Sequence, residues 1–138
     1  MKINSINRVD IALLILRVGI GFMFILHGYP KITGGIEKWA GLGSYGMGSL
    51  GIHFFPVFWG FMAAFSEFVG GIMILLGLYI RYFSLLLFIT MLVAVCTHLV
   101  GGDGLMGASH ALESAVVFLC LFFSGAGNYA IKLMGKDN

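Results

Sequence analysis

Apolar residues run almost without interruption through four stretches, residues 10 to 29, 56 to 79, 82 to 100 and 109 to 128. Each is close to the ~20 residues that an α-helix needs to cross the ~30 Å hydrocarbon core of a bilayer, at about 1.5 Å per residue. The pattern predicts an all-α fold, an integral membrane four-helix bundle formed by a single domain over residues 1 to 138. Pro30 is expected to end the first helix and Pro56 to open the second, because proline lacks the amide hydrogen that an interior turn requires. Residues 31 to 55 form the one long connection. Its KITGGIEKWAGL segment predicts a short interfacial helix with Trp39 at headgroup level, followed by a return through Gly41, Gly43, Gly46, Gly48 and Gly51, a candidate lid over the outer face.

Composition removes the alternatives. Hydrophobic residues make up 59% of the chain and charged residues 10%, against roughly 45–50% and 25% in soluble domains. A chain so poor in charge has lipid as its natural solvent. The net charge is +2, and the eight Lys and Arg residues are scattered singly, which argues against nucleic-acid binding. The two cysteines form no CxxC or Cys/His finger pattern. Cys96 and Cys120 are expected at depths about 10 Å apart, beyond the ~7 Å between Cα atoms that a disulfide can span, and are read as small apolar residues. The first stretch imitates a signal peptide, but Arg17 interrupts it and no small-x-small cleavage site follows, so it is read as a mature membrane helix.

Charge also orients the bundle. The side holding both termini and the turn after the second helix carries Lys2, Arg8, Arg81, Lys132 and Lys136, whereas the other carries Lys31 and Lys38, offset by Glu37 and Asp103. The positive-inside rule then predicts cytoplasmic termini for a multi-pass protein of the cell (inner) membrane.

Ionisable side chains at membrane depth are costly and need protein or water around them. Arg17, Glu67 and Glu113 qualify, and all four histidines, His27, His53, His98 and His110, fall on the outer side of this topology. Glu67 shares a helical face with Gly60, Ala63, Ala64, Gly70 and Gly71, which predicts a position in the protein interior. A direct Arg17–Glu67 bridge is disfavoured, since the two side chains tilt in opposite directions from backbones about 9 Å apart in depth. Arg17 is expected instead to reach back to the cytoplasmic interface. His27 and His98 tilt inward while Glu67 tilts outward, and the fourth helix adds His110-x-x-Glu113 on one face, with Ser114 beside it. These directions predict one outer pocket shared by His27, Glu67, His98 and Glu113, with His110 at its rim. Such a set can hold a transition metal on His27, His98, Glu67 and Glu113, or relay protons through Glu67 and Glu113. It can equally hydrogen-bond at the interface and hold helices in register. Haem ligation by His27 and His98 is chemically open, but no motif demands it.

The combination Arg17-x-x-x-Gly21-x-x-Phe24-x-x-His27-Gly28-x-x-Lys31-x-x-Gly34, followed by Glu67-x-x-Gly70-Gly71 and Gly77-x-x-x-Arg81, resembles the DoxX family of small four-helix membrane proteins over about Ala12 to Met134. The resemblance implies a bundle in the cytoplasmic membrane linked to quinone-coupled oxidation of sulfur compounds, or to thiol and oxidative-stress chemistry. The paired cysteines of membrane disulfide-forming bundles such as vitamin K epoxide reductase are missing, which argues against thiol exchange by this chain itself.

Two functions fit. In a redox subunit, a quinone headgroup enters the outer half of the bundle and hydrogen-bonds through its oxygens to His27 or His98, and when the quinol form is oxidised Glu67 or Glu113 accepts the proton. Lys31, Arg17 and His110 complete the candidate ligand-binding residues. Electrons then go to a partner redox subunit, since no haem, flavin or iron–sulfur motif is visible. In a non-catalytic scaffold, the same pocket binds a lipid or small molecule. A homo-oligomer is compatible with both. The orientation is tested by a reporter fused after Asn138, which is expected to work only if it functions in the cytoplasm; activity of a periplasmic reporter there would invert the outer site.

Overall fold

The computed structural model describes residues 7–131, which are helical apart from turns and short connections; Lys2, Lys132 and Lys136 lie outside the described residues. The helices are α1 (Arg8–Ile32), α2 (Gly35–Gly46), α3 (Pro56–Leu76), α4 (Ile80–Val100) and α5 (Gly104–Ser124), with a 3₁₀ turn at Met47–Leu50. Four of them, α1, α3, α4 and α5, are long and apolar enough to cross a membrane.

Helix ends follow local chemistry more than the limits of the apolar runs. The Asn7 side chain caps α1 by accepting from the Val9 amide at 3.0 Å. Pro30 does not stop this helix, which carries it in its last turn. So close to an end, proline withholds one hydrogen bond, and the neighbouring carbonyls find other donors. Thr33 donates to the Tyr29 carbonyl from its amide at 3.1 Å and its hydroxyl at 2.8 Å, and the Trp39 indole donates to the Lys31 carbonyl at 2.9 Å. The α3 helix stops at Leu76, short of the apolar run, because Gly77 takes φ 76° and forms a paired cap. In that cap the Gly77 amide donates to Ile74 and the Leu78 amide to Met73. The last helix is likewise shifted toward the N-terminus from residues 109 to 128, as Gly125 and Gly127 both adopt φ 74° beyond its end. His110 therefore lies inside α5 and does not open it.

The packing centres on α3. Antiparallel α1 meets it backbone to backbone: a Cβ at Gly21 would sit 2.8 Å from the Gly71 carbonyl oxygen, a Cβ at Gly71 would sit 2.8 Å from the Ile25 amide nitrogen, and one at Gly28 would collide with the Phe68 backbone. Nearer the start of α3, α2 takes over in the same manner. A Cβ at Gly60 would strike the Trp39 carbonyl, and one at Gly43 the Pro56 carbonyl. The 31 to 55 connection is thus seated on α3 through its own backbone.

Antiparallel α4 joins α3 through a Ser66–Thr90 hydroxyl bond of 2.8 Å. Beyond it α2 and the 3₁₀ turn sit between the two helices, with Ser49 and Thr97 hydroxyls 3.1 Å apart. The α5 helix packs on α4 and closes the ring against α1, where Phe24 and Phe118 meet edge to face at 4.8 Å between ring centres. The fully enclosed side chains Ile74, Leu87, Phe118 and Leu121 fill the middle. Asn128 fastens the segment after α5 to α1, donating to Asp10 from its amide at 2.9 Å and its side chain at 2.7 Å.

Glycines that touch backbone cannot be enlarged without separating helices. Gly28→Leu and Gly71→Leu are expected to cost at least the ~1–3 kcal/mol of an overpacked core, whereas Gly19→Ala, with open space around Gly19, should be neutral or stabilise by up to ~1 kcal/mol through helix propensity. Thermal melts in one detergent check the contrast.

Candidate functional site

Where α2 holds α3 and α4 apart, a cavity of about 410 Å³ remains. Its walls are Leu42, Phe58, Trp59, Met62, Leu86, Ile89 and Val93, with Tyr45, Thr90 and Thr97 as hydroxyl-bearing members. Lys31 and Glu67 supply charge, and His98 also lines it. Phe58 and Ile89 are each about half exposed, at 52% and 51%, so they form a mouth on the flank of the bundle. Ile89 lies mid-way along α4, about 15 Å from either end, and a mouth at that level opens toward acyl chains. A second hollow of about 620 Å³ is a shallow apolar surface around Trp39, Phe55 and Phe61 with no charged group in its lining.

Glu67 is buried, as its small-residue face predicts. Its partner is Lys31, whose Nζ donates to both carboxylate oxygens at 2.7 and 2.6 Å. The Lys31 side chain keeps 30% of its exposure and that of Glu67 only 6%, so the carboxylate belongs to the interior and the ammonium to the cavity side. Lys31 can reach because α1 continues past Pro30. With the helix ended at proline, the same residue would belong to a loop, and this hid the pair from sequence reasoning.

Arg17 meets one expectation, the absence of a bridge to Glu67, and departs from the other, the reach to the interface. It neither pairs with Glu67 nor reaches the interface. It is wholly enclosed, donating from Nη1 to the Leu75 carbonyl at 3.3 Å and from Nη2 to the Tyr129 carbonyl at 3.1 Å. Leu75 belongs to the last turn of α3, the negative end of that helix's dipole, which attracts a cation. The tilt toward the start of α1 is as predicted, but backbone carbonyls intercept the side chain before water does. Arg17 does not line the cavity.

The remaining candidates divide. His98 lines the cavity, and its Nδ1 lies 2.7 Å from the Asp103 carboxylate. His27 lies outside the cavity lining, exposed, with its ring centre 5.4 Å from that of His110 on α5. Glu113 is exposed and His53 lies exposed in the connection before α3. The expected pocket of His27, Glu67, His98 and Glu113 is therefore split between two faces. Around the bundle the order is α1, α3, α4, α5, which places α5 diagonally from α3 and away from the α3–α4 gap. Gly28 occupies the α3-facing side of α1, so His27, one residue or about 100° earlier, turns elsewhere. Among the described residues no three His, Cys, Asp or Glu side chains converge as a metal site. Cys96 and Cys120 are free thiols. Trp59, Tyr45, Thr90 and Thr97 carried no sequence signal. Trp59 stands out because its indole N–H is buried without a partner.

The family model described as DoxX matches residues 12–99. The chain belongs to the DoxX family. That span runs from early α1 to the end of α4, so it contains Arg17, Lys31, Glu67 and His98, whereas His110 and Glu113 lie outside the DoxX match. An uncharacterized protein of Haemophilus influenzae (strain ATCC 51907 / DSM 11121 / KW20 / Rd) is 32% identical over 123 residues, covering 84% of each chain. No solved structure matches.

Removing one member of an enclosed ion pair strands the other. Lys31→Met alone, which leaves the buried Glu67 carboxylate without a cation, is expected to destabilise this DoxX protein by about 3–5 kcal/mol, and Glu67→Leu alone by less, because the ammonium it strands is partly exposed, while the double variant should recover most of the loss. Denaturation of all four forms in one detergent measures the coupling; additive losses would mean that the pair contributes nothing.

Proposed function

We propose that this DoxX protein holds the head of a bilayer-borne quinone in the α2–α3–α4 cavity, as a membrane subunit linked to quinone-coupled oxidoreduction of sulfur or thiol compounds. The observation that carries the proposal is the Lys31–Glu67 pair in the wall of a largely apolar cavity with a mouth on the flank of the bundle. An apolar pocket with a few convergent polar groups suits a ligand with a polar head and a greasy body. Lys31, with two of its N–H groups on Glu67, keeps one for a quinone oxygen, and the unpartnered Trp59 indole is a further donor in the same wall. Protons move with electrons when a quinone changes oxidation state, and Glu67 is the carboxylate placed to exchange them. His98, paired with Asp103, would connect the cavity to the outer side, with both termini in the cytoplasm and the protein in the inner membrane. Glu113, His27 and His110 have no part in this cavity. Electrons pass to a partner redox subunit.

The second function, binding of a lipid or small molecule without chemistry, draws on the same geometry: Lys31 and Glu67 satisfy each other, so the cavity can hold an uncharged guest with no proton transfer. Lipid extracts of the purified protein separate the two. Co-purified quinone that falls at least about ten-fold in Lys31→Met and Glu67→Gln but is retained in Arg17→Lys supports the quinone site. Retention of phospholipid with no quinone, unaffected by Glu67→Gln, favours the scaffold.

A further inference from the structure

The face of the bundle opposite the cavity presents its own anomaly. On the seam between α1 and α5, His27, His110 and Glu113 are all exposed, although both helices have the length and apolarity of membrane spans. Glu113 lies about 13 Å from the nearer end of α5, more than its short side chain can cover to reach water. An ionisable group left in contact with acyl chains is unfavourable, so such groups turn toward protein or a water-filled cavity. Neither of the two hollows takes them: none of the three lines either one. The seam is also the thinnest contact in the ring. The two helices meet through the tips of long side chains, Phe24 on Phe118 and His27 on His110, with none of the glycine-to-backbone contact that joins α1 to α3. Just along α1, Gly19 is exposed with nothing within 4 Å of where a Cβ would stand, leaving room for a second helix to approach.

We infer that this seam is the interface of a homodimer, with His110 and Glu113 paired reciprocally between two copies. The patch contains both hydrogen-bond donors and a carboxylate acceptor, so it is complementary to itself, as a two-fold interface requires. Membrane topology forces the two copies to stand parallel, which brings residues of equal depth together. His110 and Glu113 are one helical turn apart, about 4.5 Å in depth, close enough for each to reach the other's counterpart across the axis. His27, beside His110, supplies a second donor to the same carboxylate. The dimer would cover polar groups that lipid cannot satisfy while leaving the α3–α4 mouth free on the far side.

Energy transfer between donor-tagged and acceptor-tagged copies of the full chain, reconstituted in liposomes at low protein-to-lipid ratio, tests the interface. The wild-type chain should show transfer well above that of randomly mixed monomers. His110→Glu or Glu113→His alone should weaken association about ten-fold, and the two together should restore it, because the swapped pair is again complementary. Should a single swap fail to fold, Glu113→Leu and Glu113→Gln carry the test, with Leu losing the transfer and Gln, which still accepts a hydrogen bond, keeping most of it. Wild-type transfer no greater than random, a double swap as weak as the single ones, or full transfer in Glu113→Leu would each overturn the dimer.

Discussion

Backbone contact between α1 and α3 sets the register on which the remaining structure depends. In lipid, helices gain little by hiding apolar surface from one another, so close packing of small residues carries much of the association. Gly21 and Gly71 bring the two backbones together, and Gly28 locks against Phe68. From that register Lys31, one turn beyond Gly28, arrives at the Glu67 carboxylate, and Arg17, one turn before Gly21, arrives at the last carbonyls of α3. A slip of a single turn would leave a buried carboxylate without a cation and a buried guanidinium without acceptors. Glycine packing and charge pairing therefore select the same alignment.

Arg17 and Lys31 meet their acceptors by different chemistry, and the difference shapes the site. Lysine is a compact charge on a flexible stem and reaches the two oxygens of Glu67 from one atom. Arginine presents several donors in a planar fork, which suits carbonyls arriving from two separate elements, the end of α3 and the segment after α5. Arg17 is therefore a tie between elements at one end of the bundle, whereas Lys31 keeps some exposure where the cavity begins. The cavity itself exists because α2 and the following 3₁₀ turn occupy the fork between α3 and α4. Ending α1 at Ile32 frees carbonyls that membrane cannot solvate, and Thr33 and Trp39 take them up, so the break is satisfied locally.

Much of this molecule is legible along the chain. The four spans follow from run length, because a bilayer core has a fixed thickness, and the burial of Glu67 follows from the small residues spaced around it. The tilt of Arg17 toward the start of its helix is likewise a local property of α-helical geometry. The helix ends are less legible, since proline in a last turn and glycine just past an end act through single hydrogen bonds that hydropathy does not register.

What sequence alone determined, then, is the solvent, the number of spans, which residues are too polar for lipid, and which helical face is narrow enough to pack closely. Which polar residue meets which was decided by tertiary structure. Depth and tilt are one-dimensional, and by those measures His27, Glu67, His98 and Glu113 converge. The order of helices around the ring is not written in any helix, and it sends α5 to the far side of the bundle. Glu67 thereby falls to Lys31, His98 to Asp103 and the edge of the cavity, and His27 to His110, because only packing in the plane of the membrane fixes which faces are neighbours.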